Sequence, residues 1–198
     1  MKKTSSFLKF LIFLGLSFFI SQTAFAKDKL TLYCSVEIDV CEILVQAFEK
    51  ETGIDVAMTR KSSGETFAQI KAEGSNPKGD VWFGGTGDPH LTASQEGLTY
   101  EYKSIHFDDL LPAAQNQAIN GAFKTVGIYV GALGFGYNQD IIKSKGLPEP
   151  KSWADLTNPV YKGEIQVANP NSSGTAYTTL ATILQIFGEE KGWDYMKA

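Results

Sequence analysis

Four times along this chain a short apolar run breaks into a loop of small polar residues and then into a helix-like stretch. The runs are residues 30–34 (LTLYC), 54–58 (IDVAM), 80–83 (DVWF) and 162–168 (KGEIQVA). Apolar runs of this length, spaced by helical patterns rather than tight turns, cannot be joined as hairpins. They predict parallel strands linked by right-handed helical crossovers, with helices covering the sheet faces. In such sheets ligands collect beyond the carboxyl ends of the strands. The loops after the first three runs, residues 35–38, 60–65 and 84–89, are therefore expected on one edge.

The helices carry their own punctuation. Residues 38–50 form an amphipathic pattern with Ile43, Leu44, Ala47 and Phe48 as its apolar positions, stopped by Gly53. Ser62-Ser63-Gly64-Glu65 is close to a capping box and opens a helix through Phe67 and Ile70 towards Gly74. A further helix is expected over 91–97. Residues 125–138 (TVGIYVGALGFGYN) carry glycine at 127, 131, 134 and 136, a density that weakens strand packing and fits an extended crossover between two lobes. Ser152 is placed to cap a short helix from Trp153. Residues 162–168 are expected to be a strand that runs through 169–175 into a helix over 176–187.

The first 26 residues stand apart. Lys2, Lys3 and Lys9 precede an apolar run at 10–20, then Ser21-Gln22-Thr23 and an Ala24-Phe25-Ala26 cleavage pattern. This is the layout of a secretory signal peptide, and its apolar run is too short for a spanning helix. Lys27 rather than cysteine would follow the cut. Removing these residues, with three lysines and no acid, takes the net charge from −4 to −7 over the remaining 172 residues. No basic excess is left for nucleic acid. Export also makes the two cysteines readable. Cys34 and Cys41 lie outside the C-x-x-C spacing, and two cysteines with two distant histidines make a poor zinc set. A local disulfide is expected, with two buried thiols as the alternative.

Two helix starts, at Ser62–Gly64 and at Ser172-Ser173-Gly174-Thr175 running into Ala176, expose backbone N–H groups suited to an anion, with hydroxyls as further donors. Each is also a sequence that merely caps a helix. Gly84-Gly85-Thr86-Gly87-Asp88 lacks the Gly-Lys-Ser/Thr ending of a P-loop and reads as a turn that lets backbone approach a ligand. Asp88, followed by Pro89, is also placed to cap the next helix, and Glu37 and Asp39 read either as acceptors for a ligand's hydroxyl groups or as solvated loop acids. Catalytic motifs are missing from the sequence: it has no G-x-S-x-G elbow and no H-E-x-x-H. His90 and His106 read as ordinary surface histidines, and Trp82 and Trp153 as packing residues.

Taken in order, the leader, ETGIDV (51–56), GDVWFGGTGD (79–88) and NPNSSGTAYTTL (169–180) resemble bacterial periplasmic solute-binding proteins of ABC transporters. The resemblance is to the branch of ferric-ion-, phosphonate- and hexose-phosphate-binding proteins. It implies an α/β fold of the two-lobed type II class, with the first lobe nearly complete and the second truncated, so that the chain is an N-terminal fragment. The implied division is a signal peptide at 1–26, a first lobe at 27–128, a hinge crossover at 129–138 and the start of a second lobe at 139–198. It further implies a monomer that captures its solute in the interlobe cleft and docks on an inner-membrane permease, with no cofactor and no metal of its own.

The ferric-ion-binding members carry a histidine after the first strand and an acid after the third. Here those places read Glu37 and about Gly85. The resemblance is stronger to the hexose-phosphate and phosphonate binders, in GGTGDPH and PNSSGTAY. It places phosphoryl oxygens against Ser172–Thr175, Ala176 and Ser62–Gly64, and a polyol against Ser35, Glu37, Thr86 and Asp88. A ferric-iron receptor, a secreted enzyme acting on phosphate esters and a sensor domain are the competing expectations.

Overall fold

The computed structural model describes residues 28–198; the leader expected at 1–26 lies outside them. Three strands, β1 (Lys29–Cys34), β2 (Asp55–Arg60) and β3 (Val81–Phe83), form one parallel sheet in the order β2-β1-β3. Cys34, the last residue of β1, pairs with Arg60 and with Phe83, the last residues of its neighbours. All three strands therefore release their loops at the same edge, as the parallel reading requires.

Helix α1 (Ile38–Thr52) returns the chain from β1 to β2 and ends at Gly53, whose left-handed φ of 75° closes the last turn. Its buried side differs from the expected stripe. Cys41 and Val45 pack on Leu32 and Cys34, whereas Ile43, Leu44 and Phe48 are exposed. Leu44 and Phe48 instead line an apolar groove of about 250 Å³ between α1 and the sheet. The helical period was right and its rotation was not, because the disulfide turns Cys41 inward. That bond joins Cys34 to Cys41 across 6.2 Å between Cα atoms, and both residues are fully buried.

Helix α2 (Ser63–Glu73) joins β2 to β3, with Ser62 and Glu65 forming the expected capping box. Helix α3 spans Gly87–Gln95 and thus begins four residues ahead of the expected 91–97, with Pro89 in its first turn, where proline costs no helical hydrogen bond. A 3-10 turn (Phe107–Asp109) and α4 (Pro112–Asn120) follow. Glu73 links the far side of the sheet: Tyr33 Oη donates to it at 2.5 Å, and Gln69 Nε2 and the Lys78 N–H donate at 2.9 Å each.

Residues 124–138 have no regular secondary structure. Beyond them lie α5 (Gln139–Ser144), 3-10 turns at Trp153–Thr157 and Pro159–Tyr161, α6 (Gly174–Phe187) and α7 (Glu189–Lys197). Ser152 caps the first of these turns with Asp155, as expected. Helices α6 and α7 pack through stacked Phe187 and Tyr195, and Tyr195 Oη donates to Trp153 O at 2.7 Å. The strand expected over 162–168 is not formed. Ile165 and Val167 are 50% and 57% exposed, and among the described residues no strand lies alongside to receive their ladder hydrogen bonds. Apolar alternation marks a segment fit for a sheet, but a strand exists only with a partner.

Among the described residues no helix is long and apolar enough to cross a membrane.

Candidate functional site

The edge where β1, β2 and β3 end is met by a fourth segment, residues 169–175, which leads into α6. Ser62 Oγ and the Gly64 N–H both donate to Ser172 O, at 2.6 and 3.0 Å. Two helix starts 110 residues apart in sequence are thus in direct contact. Their glycines make the approach possible. A Cβ on Gly64 would overlap Asn171 O and lie 2.8 Å from Ser172 O. One on Gly174 would lie 2.5 Å from Thr86 Oγ1 and 2.6 Å from Ser63 Oγ.

Ser63 is 3% exposed and sits at the centre, accepting the Thr86 N–H at 3.2 Å. A Cβ on Gly85 would overlap its hydroxyl, so the third loop needs glycine there for space as well as for its φ of 91°. Ser35 forms the floor: its Oγ accepts from Trp82 Nε1 at 2.9 Å and lies 3.1 Å from Thr66 Oγ1, itself fully buried. Ser173 caps α6 by accepting the Ala176 N–H.

One atom in this cluster is unsatisfied. Thr86 Oγ1 is buried and has no hydrogen-bond partner among the described residues. Thr86 stands at the N-cap of α3, yet its side chain makes no capping bond. A buried hydroxyl without a partner costs about 1–3 kcal/mol.

The structure therefore brings together Ser35, Ser62, Ser63, Gly64, Gly85, Thr86, Ser172, Ser173 and Gly174. Ala176 is buried beside them, with its N–H already used by the cap. Glu37, Asp88 and Thr175 are exposed. Glu37 occupies the N-cap of α1 without capping it, and Asp88 lies in the first turn of α3. The enclosed groups are hydroxyls and amides, with the carboxylates outside. Among the described residues no three of His, Cys, Asp and Glu are grouped to hold a metal ion.

Three contributors were missed in the sequence. His90 is not a surface residue: its ring stacks on Trp82 with centroids 3.6 Å apart, and its Nε2 lies 2.8 Å from Gly84 O. Burial lowers its pKa, against an opposing effect of the Gly84 carbonyl. Gln117 Nε2 donates to Gly87 O at 3.1 Å. Tyr129 Oη accepts the Gly85 N–H at 2.8 Å and donates to Gly85 O at 2.9 Å. Its partner is 44 residues away, beyond any local pattern; the available signal was one of two tyrosines in a glycine-rich stretch. His106 is exposed as expected, with Nδ1 3.5 Å from Asp109.

Residues 85–198 match the family of bacterial extracellular solute-binding proteins. A Haemophilus influenzae protein of no assigned activity is 43% identical over 90% of this chain and 52% of its own length. Among solved structures, the periplasmic binding protein AfuA of Actinobacillus pleuropneumoniae, with fructose-6-phosphate bound, is 42% identical with a TM-score of 0.81, over 86% of this chain and 54% of AfuA. Iron-bound HitA of Pseudomonas aeruginosa, at 21% identity and a TM-score of 0.60 over 85% of this chain and 53% of HitA, shares the fold alone. The chain spans about half the length of these relatives. It belongs to the bacterial extracellular solute-binding protein family, and its α/β architecture is that of type II periplasmic binding proteins.

Proposed function

We propose that this protein is the substrate-binding component of an ABC transporter, exported by residues 1–26, and that it captures a phosphorylated sugar or related organophosphate. The ligand enters between the 62–64 loop of the first lobe and the 172–175 segment of the second, and is handed reversibly, without turnover, to a membrane permease. Residues 129–138 are the hinge between the lobes.

The observation that carries this reading is the unpartnered Thr86 hydroxyl, enclosed by Ser63 and Gly174 where the two helix starts meet. In this arrangement the protein's own groups take up part of the donor set: Ser172 O occupies the Gly64 N–H and the Ser62 hydroxyl. A phosphoryl group wedged between the loops would accept from both and from Thr86. The neutral hydroxyl and amide character of the cluster supports a phosphate ester over a bare ferric ion, which wants anionic oxygens. The 42% identity to a protein seen with fructose-6-phosphate supports the same class.

Thr86→Val tests the assignment because it keeps the shape and removes only the hydroxyl. The free protein should unfold at the same or a higher temperature, since a buried unpaired group is lost, while fructose 6-phosphate binds about tenfold more weakly. Calorimetric titration with fructose 6-phosphate, free fructose, inorganic phosphate and ferric citrate identifies the class. Thr175→Ala should also weaken phosphate ester binding without changing the fold. Binding of ferric citrate alone, or equal affinity in the Thr86 variant, would overturn the phosphate reading.

A further inference from the structure

Resting on the hinged reading above, we infer that Tyr129 is a clasp by which the crossover holds the glycine loop of the site, and that the pivot is the short stretch immediately after it. The crossover is anchored to the first lobe in two steps. At Gly127 it lies so close to α4 that a Cβ would stand 2.8 Å from Ala114 Cα and Cβ. Two residues later Tyr129 Oη takes both the N–H and the C=O of Gly85. The tyrosine as a whole is 55% exposed, so its hold comes from these bonds rather than from enclosure.

Beyond Tyr129 the surroundings open. Gly131 and Gly134 have no atom within 4 Å of where a Cβ would stand. The next ring contact along the crossover is Phe135, edge-on to Trp153 at 5.2 Å between centroids, which belongs to the second region. Residues 130–134 are therefore the link between an anchor on each side, and two of the five are glycines with open space around them.

Among the described residues, the other side-chain hydrogen bonds to this loop also come from the first lobe. His90 takes Gly84 O, Ser63 takes the Thr86 N–H, and Gln117 donates to Gly87 O. The Gly85 peptide groups are left to Tyr129. Rotation about 130–134 therefore leaves Tyr129 and Gly85 together on the first lobe, and the clasp fixes the backbone next to the Thr86 that would grip the ligand. Tyr129 is a positioning residue: it need not touch the ligand to set how long the ligand stays.

The test is Tyr129→Phe in the full-length protein, with Tyr100→Phe, at a tyrosine 93% exposed and outside the crossover, as the control hydroxyl. In ligand-free protein, amide exchange at Gly85 should accelerate about tenfold in the Tyr129 variant, the loss of one protecting hydrogen bond, and stay unchanged at Leu32 to Cys34 in β1. Stopped-flow release of fructose 6-phosphate should quicken about three- to tenfold in the same variant and not in the control. Unchanged exchange at Gly85 overturns the clasp. Faster exchange with unchanged release overturns its role in holding the ligand. A wild-type protein that binds no fructose 6-phosphate overturns the functional reading instead, and the exchange arm still decides the clasp.

Discussion

Gly64→Ala separates two opposite expectations. Gly64 is the second residue of α2 and has ordinary helical backbone, so alanine there should help the helix by roughly 0.5–1 kcal/mol. In the structure that gain is opposed. The new methyl would overlap the Asn171 carbonyl oxygen and stand 2.8 and 2.9 Å from Ser172 O and Cα, all backbone atoms that no rotamer change can move aside. The loops must separate, losing the Gly64 N–H and Ser62 hydroxyl bonds to Ser172 O. At about 1 kcal/mol each, these outweigh the helical gain and leave a net loss of about 1 kcal/mol. For a chain of this size that is a fall of about 2–4 °C in Tm, measured by thermal unfolding followed by circular dichroism. Amide exchange at Gly64 should accelerate in parallel. A rise in Tm would refute the reasoning, because it would mean that α2 feels only its own propensity and that the two loops do not touch in solution.

Replacing Cys34 and Cys41 together by serine should cost about 2.5 kcal/mol from the closed loop's entropy, read by urea unfolding; a loss below 1 kcal/mol would mean that packing at the end of β1 carries that corner. Acidification should lower Tm in two stages. Burial opposes ionisation of Glu73, but the hydrogen bonds from Tyr33, Gln69 and Lys78 outweigh it and hold its pKa below the usual range. Its contribution is therefore full above the ordinary glutamate pKa and lost as pH falls through the lowered value. Burial likewise holds the His90 pKa down, so its contribution is full above about 6.5 and fades below. Tyr33→Phe should flatten the lower stage and His90→Gln the upper; two unaltered profiles would discard both assignments. The same Tyr33 variant removes a phenol that burial and Glu73 push up to about 12, so at pH 11 variant and wild type should show nearly equal phenolate absorbance, whereas loss of an ordinary tyrosine would lower it by almost one phenolate.

What the sequence made legible was local. The run from β1 to β3 could be read because each strand is a short apolar block and each helix has its own stop, Gly53 after α1 and Gly74 after α2. The capping box at Ser62 was legible for the same reason, since its partner Glu65 is three residues away. The common edge of the loops followed from parallel topology alone. Rotation of α1 was not legible, because both faces of ILVQAF offer apolar residues and only the buried Cys41 decides between them.

The site is a different matter, since its defining contacts span long separations. Ser62 with Ser172, Gly85 with Tyr129 and Trp82 with Ser35 are 110, 44 and 47 residues apart, and no periodicity relates them. Residue type nevertheless carried part of the message. At three close approaches on this edge one side is glycine: Gly64 against the Ser172 backbone, Gly85 against the Ser63 side chain, and Gly174 against the Thr86 and Ser63 side chains. In the sequence these glycines were ambiguous between turn-making and close approach, and the structure assigns Gly64 and Gly174 to close approach, since neither has a left-handed φ. That distinction bears on function. A turn glycine fixes the path of one loop, whereas an approach glycine is useful only if another segment comes to it. Two such glycines on opposing segments, with Gly174 against an unsatisfied hydroxyl, describe surfaces shaped to come together, which supports the proposed reading of the cluster as the closing edge of a cleft over three capped helices that happen to be neighbours.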